Sequence, residues 1–283
     1  MIKKGLVLEG GAMRGMFTCG VIDVFLENGI EFDGMVGVSA GATFGCNFAS
    51  KQPGRALRYN KIYSHDKRYA SFTSLVKTGD YFGAEFCYET LPKELDVFDY
   101  ETFRKNPMEF WVTATDIETG RAVYHKFKDA GPTDMKWMRA SASMPLFSSI
   151  VEIGTRKLLD GGIADSIPLQ FMEHKGYERI VVVVTQPESY IKKKNSAMAV
   201  IKAVYRKYPA LVHAMATRHL RYNRETEYIR AKAAAGKVFL ISPDEPLNIS
   251  HTEKNPAELE RVYKAGRAAA EKKLAEMKKY LAD

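Results

Sequence analysis

The chain has 283 residues, 46% hydrophobic and 27% charged, with a formal net charge of +8. That length allows one sizeable core, or one main domain with an appendage, and the composition excludes disordered and low-complexity classes. No apolar run approaches the roughly 18 residues that a membrane-spanning helix needs. Three widely spaced cysteines, Cys19, Cys46 and Cys87, form neither a metal motif nor a disulfide framework, and Cys19 and Cys46 read as small buried hydrophobes. The N-terminal apolar stretch Leu6-Val7-Leu8 is too short for a secretory signal and is interrupted by Glu9, so the chain reads as cytoplasmic. The positive charge is spread over helix-like segments (Arg55/Arg58/Lys61, Lys192-Lys193-Lys194, Arg218/Arg221/Arg224, Lys272/Lys273). This pattern suits solvated faces or an anionic lipid surface better than nucleic acid, because no nucleic-acid-binding module accompanies it.

In chain order, Leu6 to Leu8 reads as a strand and Gly10 to Gly15 as a glycine-rich turn. Met16 to Asn28 has helical spacing and stops at Gly29. Met35 to Val38 reads as a second strand, followed by a helix from Ala40 to Ala49. This β-turn-α-β-turn-α order predicts a parallel sheet with helices packed on it. Residues 51–106, rich in Tyr, Lys, Arg and Phe, read as helices and loops covering a site. Phe110 to Thr115 and Ala122 to Phe127 form a hairpin around Ile117-Glu118-Thr119-Gly120. Asp134 to Ser143 reads as a helix, and Lys157 to Leu159 as a strand leading into Asp160-Gly161-Gly162. The Val181 to Val184 run marks a strand buried on both faces. Beyond Gln186 the spacing predicts helices over Lys192–Arg206 and Pro209–Ala235, a strand over Lys237–Ser242 and a long helix over Pro256–Leu281. The strand near residue 237 either belongs to a separate appendage or returns to the same sheet.

Three segments carry chemistry. Gly37-Val38-Ser39-Ala40-Gly41 stands between a strand and a helix, the context of a nucleophile elbow, whose serine needs small neighbours so that its hydroxyl projects freely. The plainer alternative is a serine that merely caps the next helix. A serine hydroxyl needs a base and an oxyanion site to act as a nucleophile. Of the six histidines (His65, His125, His174, His213, His219 and His251), none has a flanking glycine or strand end that would aim it at Ser39. Asp160, ending a strand before two glycines, is the better base: in a dry pocket a raised pKa lets a carboxylate take the serine proton. The turn containing Gly10, Gly11, Ala12 and Arg14 presents consecutive backbone N–H groups at a positive helix end, suited to an oxyanion or to a phosphate. The phosphate alternative is a relaxed dinucleotide fingerprint, weakened because the second strand ends in Val38-Ser39 rather than in an acid.

Taken together, Gly-Gly-x-x-Arg-Gly, Gly-x-Ser-x-Gly, Ala-Ser-Ala-Ser-Met-Pro (Ala140 to Pro145) and Asp-Gly-Gly, in this order, resemble the patatin-like phospholipases over roughly residues 5 to 186. The tail resembles the extension of a bacterial subgroup of that family. The resemblance implies a three-layer α/β/α sandwich around a mostly parallel sheet, with a catalytic region at 1–186 and a mainly helical extension at 187–283. It implies a Ser-Asp dyad, with Ser39 matching the nucleophile, Asp160 the base, and Gly10, Gly11 and Arg14 the oxyanion segment. It further implies hydrolysis of lipid acyl esters without metal or other cofactor. Ala12 stands where the family pattern usually has a third consecutive glycine. Its Cβ strains a left-handed backbone, which leaves a lipid-binding or weakly active member of the fold as the second reading and a nucleotide-binding α/β protein as the third.

Overall fold

The computed structural model describes residues 2–282. Among them, eight strands form one mixed, mostly parallel sheet. The first half of the chain supplies β1 (Lys4–Leu8), α1 (Gly15–Glu27), β2 (Gly34–Val38) and α2 (Ala40–Ala49). A cover follows: α3 (Arg55–Tyr63), α4 (Phe72–Thr78), a π-helical segment (Phe86–Leu95) and α5 (Tyr100–Lys105). Then come β3 (Glu109–Asp116), β4 (Arg121–Lys126), α6 (Pro132–Ser141), β5 (Val151–Ile153) and β6 (Arg156–Asp160). The chain continues through α7 (Leu169–His174), β7 (Arg179–Val183), α8 (Met198–Val204), α9 (Pro209–Ala234), β8 (Val238–Ile241) and α10 (Pro256–Ala282).

The central strands are apolar on both faces because both are covered. Side chains alternate along a strand. Leu6, Leu8, Met35, Val181 and Val183 therefore join the core under α1, α2 and α10, whereas Val7, Val36, Ile180 and Val182 join Met172, Tyr222 and Ile229 from α7 and α9. This is the three-layer arrangement that the alternating pattern predicts.

The register of β3 positions the site. Residues Glu109 to Thr113 pair in parallel with β2, the last pair being Val38 with Thr113. Residues Ala114 to Asp116 pair antiparallel with β6, and there Asp160 faces Ala114. β4 occupies the other edge of Trp111 to Asp116, so β2 and β6 share one edge of β3. They run toward each other and end on adjacent residues. Ser39 and Asp160 thus leave the sheet at the same point from opposite directions.

The C-terminal part is joined to this frame. β8 pairs in parallel with β7. α10 crosses α1 at two glycines: a Cβ on Gly20 would stand 2.1 Å from the Tyr263 carbonyl oxygen, and one on Gly266 would stand 1.9 Å from that of Phe17. Beside this crossing, Tyr263 donates to Asp23 at 2.7 Å and Arg267 pairs with Glu27 at 2.6 Å. Among the described residues no helix is long and apolar enough to cross a membrane.

Two expected helices differ in extent. The helix predicted over Lys192–Arg206 is only Met198–Val204, because Asn223 of α9 brackets the Lys192 backbone. Lys192 N–H donates to its side-chain oxygen at 2.8 Å, and its amide donates to the Lys192 carbonyl at 3.1 Å. The helix predicted over Asp134–Ser143 runs instead from Pro132 to Ser141, since proline is well suited to a first helical turn. The short β5, absent from the sequence reading, is three residues long and turns into β6 through Gly154 at φ 59°.

Candidate active site

Ser39 sits between β2 and α2 at φ 53°, ψ −123°, a backbone conformation rare for a residue with a Cβ. Two close approaches impose it. A Cβ on Gly41 would lie 2.4 Å from the Leu8 carbonyl oxygen, and one on Gly37 would lie 2.5 Å from the Ala42 Cα. The Ser39 carbonyl accepts from Ala42 N–H at 2.9 Å and Thr43 N–H at 3.0 Å. The Ser39 side chain makes no capping hydrogen bond, so the plainer alternative of a capping serine does not describe it.

Asp160 is 6% exposed. Its carboxylate accepts from Gly162 N–H at 2.8 Å. Burial pushes its pKa above the ordinary carboxylate value, opposed by the Ser39 side chain, the Arg218 charge and the Gly162 N–H. Among the described residues no hydrogen bond joins the Ser39 hydroxyl to the Asp160 carboxylate. Contacts between a nucleophile and its base commonly tighten only when substrate binds.

One segment fixes both residues. Ser141, fully buried in α6, accepts the Ser39 N–H on its hydroxyl at 2.8 Å. Two residues later the Ser143 carbonyl accepts the Asp160 N–H at 2.8 Å. Thr115 of β3 donates its hydroxyl to the Asp160 carbonyl at 2.8 Å. Ala140 to Pro145 was recognisable in the sequence, but the separate duties of Ser141 and Ser143 were not.

The glycine turn lies directly above the elbow. A Cβ on Gly10 would come 2.8 Å from the Ser39 Cβ, and one on Gly11 would come 2.7 Å from the Thr185 hydroxyl. Ala12 opens a single 3₁₀ turn, Ala12–Arg14, that runs into α1. Its φ is 48°, so alanine occupies the left-handed conformation that costs a non-glycine residue about 1–2 kcal/mol. Among the described residues, no acceptor engages the N–H of Gly11 or Ala12. Arg14 packs beside Gly11, whose Cβ would stand 3.3 Å from Arg14 Nη2, and places Nη1 3.0 Å from His251 Nε2.

Ser39 and Ala12 also line an apolar cavity, walled by Phe44, Tyr59, Tyr69, Leu91, Phe98 and Met138 among others. Cys46 lies in the same wall, its thiol pushed up to about 11 by burial and therefore protonated. Among the described residues no group of three or more His, Cys, Asp or Glu side chains is placed to hold a metal ion. Lys192, Arg218 and His251 of the C-terminal part escape the sequence reading of this site, because nothing in their spacing links them to Asp160.

A mostly parallel sheet covered by helices on both faces defines a three-layer α/β protein. The chain belongs to the patatin-like phospholipase family, whose model matches residues 6–172. Residues 208–282 match a second model, described only as a domain of unknown function, DUF6363. An uncharacterised Escherichia coli protein, YjjU, is 27% identical across 98% of this chain and 79% of its own length. A lysophospholipase nte1 from Aspergillus niger is 30% identical over 63% of this chain, which spans only 12% of that protein. Among solved structures, VipD from Legionella pneumophila aligns over 98% of this chain and 67% of its own, with a TM-score of 0.47 and 13% identity.

Proposed function

We propose that this protein is a serine acyl hydrolase that cleaves the ester of a single acyl chain from a lipid, using Ser39 as nucleophile and Asp160 as base. The observation that carries this reading is the convergence of Ser39 and Asp160 at the shared edge of β3, beside an apolar cavity of which Ser39 forms part of the wall. Asp160 accepts the Ser39 proton as the hydroxyl oxygen attacks the ester carbonyl. The Gly11 and Ala12 N–H groups hold the oxyanion at the positive end of α1. The alcohol leaves with a proton returned by Asp160. The acyl-enzyme is then hydrolysed by a water that Asp160 deprotonates. Cleavage requires no metal or other cofactor in this scheme. The family membership and the lysophospholipase name of the fungal relative support a lipid ester as substrate.

The rim of the cavity suits delivery from a membrane. Phe72 and Val76 on α4 are 67% and 86% exposed, and Lys67, Arg68 and Lys77 flank them. The Phe72 ring packs edge-on against Tyr81 at 5.3 Å, and Tyr81 against Phe82 at 5.2 Å, which joins this face to a cavity-lining residue. Aromatic and basic side chains together favour an anionic lipid surface. The φ of Ala12 favours one second reading: a lipid-binding member of the family with slow turnover.

A fluorophosphonate probe separates the two. A hydrolase is labelled at Ser39, and both Ser39→Ala and Asp160→Asn abolish labelling and lower p-nitrophenyl ester hydrolysis by about 10³-fold or more. Full-rate labelling of Asp160→Asn removes Asp160 as the base. Because burial raises the Asp160 pKa and the carboxylate form is the active one, the rate falls with pH at a point above the ordinary carboxylate range. The same sign governs stability. The contribution of Asp160 is present at low pH and is lost as pH rises through its folded value. Asp160→Asn therefore melts higher than wild type at neutral pH.

A further inference from the structure

Several basic groups that the acyl-transfer scheme does not use gather around Asp160 and the glycine turn, and three of them come from the C-terminal part. Arg218 of α9 donates Nε to the Gly162 carbonyl at 2.5 Å. A Cβ on Gly162 would stand 3.2 Å from Arg218 Nη2 and 3.1 Å from Asp160 Oδ1, so the guanidinium and the carboxylate flank one glycine. Lys192 lies over the Tyr222 ring at 4.3 Å, held there by the Asn223 bracket. Tyr222 in turn donates to Glu9 at 2.8 Å, and Glu9 accepts from Thr185 N–H at 2.6 Å. Thr185 bonds the Gly10 carbonyl at 3.2 Å, which ties Lys192 to the glycine turn. His251, open to solvent, faces Arg14 at 3.0 Å.

Arg14, Lys192 and Arg218 form no direct ion pair among the described residues, and the charges of Asp160 and Glu9 reach Arg218 and Lys192 only across a gap. Among the described residues none of Arg14, Lys192 and Arg218 has a carboxylate oxygen within 4.0 Å. Arg14 Nε is buried without any partner. The neighbouring acids are engaged elsewhere: Glu9 by Tyr222 and Thr185, Asp165 by the Tyr124 hydroxyl at 2.6 Å. Glu225, beside Asp165, is pushed up to about 8 by burial and by that neighbour's charge. The cations also burden one another. Lys192 is pulled down to about 8 by burial and by Arg218. Basic groups crowded together without a direct ion pair are relieved by a ligand that supplies several acceptor oxygens. None of the four lines the apolar cavity.

We propose that Lys192, Arg218 and His251, with Arg14, form a phosphate-binding cradle for the alcohol side of the ester, so that the preferred substrate carries one acyl chain and one phosphate. The proposal rests on the hydrolase reading. The acyl chain enters the cavity beside Ser39 while the phosphate is held over Gly162 by groups that the C-terminal part supplies. Arg218 then has two duties, steadying the Gly162 carbonyl and facing the phosphate. Lys192 and His251 have only the second.

The test compares 1-acylglycerol 3-phosphate with the 1-acylglycerol of the same chain, on wild type, Lys192→Met, Lys192→Arg and His251→Gln. Wild type favours the phosphate ester in kcat/KM by at least about tenfold. Lys192→Met removes most of that preference, Lys192→Arg restores it, and the exposed His251→Gln lowers it without loss of melting temperature. Equal ratios in wild type and Lys192→Met overturn the cradle while leaving the hydrolase reading intact. Calorimetric titration with glycerol 3-phosphate and with inorganic phosphate provides a readout free of turnover. Binding that Lys192→Met weakens, in a protein that cleaves no ester, sustains the cradle and overturns the hydrolase reading. Comparable binding of both titrants assigns recognition to the phosphate group itself. Competition by the lysolipid phosphate alone assigns it to a lipid headgroup. No competition by any phosphate compound overturns the proposal.

Discussion

The strand-end cluster and the cover formed by residues 51–106 border the same cavity and are built on different principles. Around Ser39 and Asp160, position is set by backbone: Gly37 against Ala42, Gly41 against Leu8 and Glu9, Gly161 against Thr113, and Ser141 and Ser143 holding two N–H groups. In the cover, position is set by rings and long side chains: Tyr69 meets Phe82 and Phe86 edge-on at 5.8 and 6.2 Å, and Arg55 pairs with Asp96 at 3.3 Å. Backbone contacts of this kind tolerate almost no substitution, because any Cβ displaces a strand or a helix. Ring contacts can be repacked at modest cost. On the proposed acyl-hydrolase reading, the first region fixes the chemistry and the second is left to choose the acyl chain.

Three substitutions test this division, the largest effect first. Leu91→Trp fills the cavity from the cover, where Leu91 is 3% exposed. At about 0.8 kcal/mol per buried methylene, loss of room for about three or four methylenes lowers kcat/KM for a long-chain p-nitrophenyl ester about 100-fold relative to the butyrate. An unchanged chain-length profile removes the cavity from substrate selection. Ser141→Ala acts on the strand-end side. It leaves the Ser39 N–H buried without an acceptor, a loss of about 1–3 kcal/mol. Expected are a lower melting temperature and fluorophosphonate labelling slowed about tenfold, equally for short and long chains. A chain-length-dependent effect here would break the division. Ala12→Gly is the smallest change. It relieves the strain at φ 48° and raises stability by about 1 kcal/mol. If labelling also speeds up, alanine displaces the oxyanion donors as well as straining the turn.

What could be read from the sequence follows the same division. Glycines and small residues at fixed spacing are visible in a one-dimensional string because each answers a local backbone demand. The strand-turn-helix order around Ser39 and the Asp160-Gly161-Gly162 turn were therefore legible, and so was the layered fold. The helix predicted from Lys192 failed because its competitor, the Asn223 amide, is remote in sequence. Ser141, Ser143 and Arg218 act through single contacts to distant backbone atoms, and such contacts leave no periodic trace. His251 is the sharpest case. As an isolated loop histidine it reads as solvated, and it does reach solvent, yet it stands 3.0 Å from Arg14, at the far end of the chain.

The single edge of β3 that receives both β2 and β6 acts as a ruler. A slip of β6 by one position would bring Leu159 to the meeting point and turn its neighbours to the opposite side of the sheet. Ester cleavage would then report strand alignment more sharply than any measure of global folding, so a library of one-residue insertions and deletions around Gly154, scored by turnover, would map how tightly the hairpin is metered.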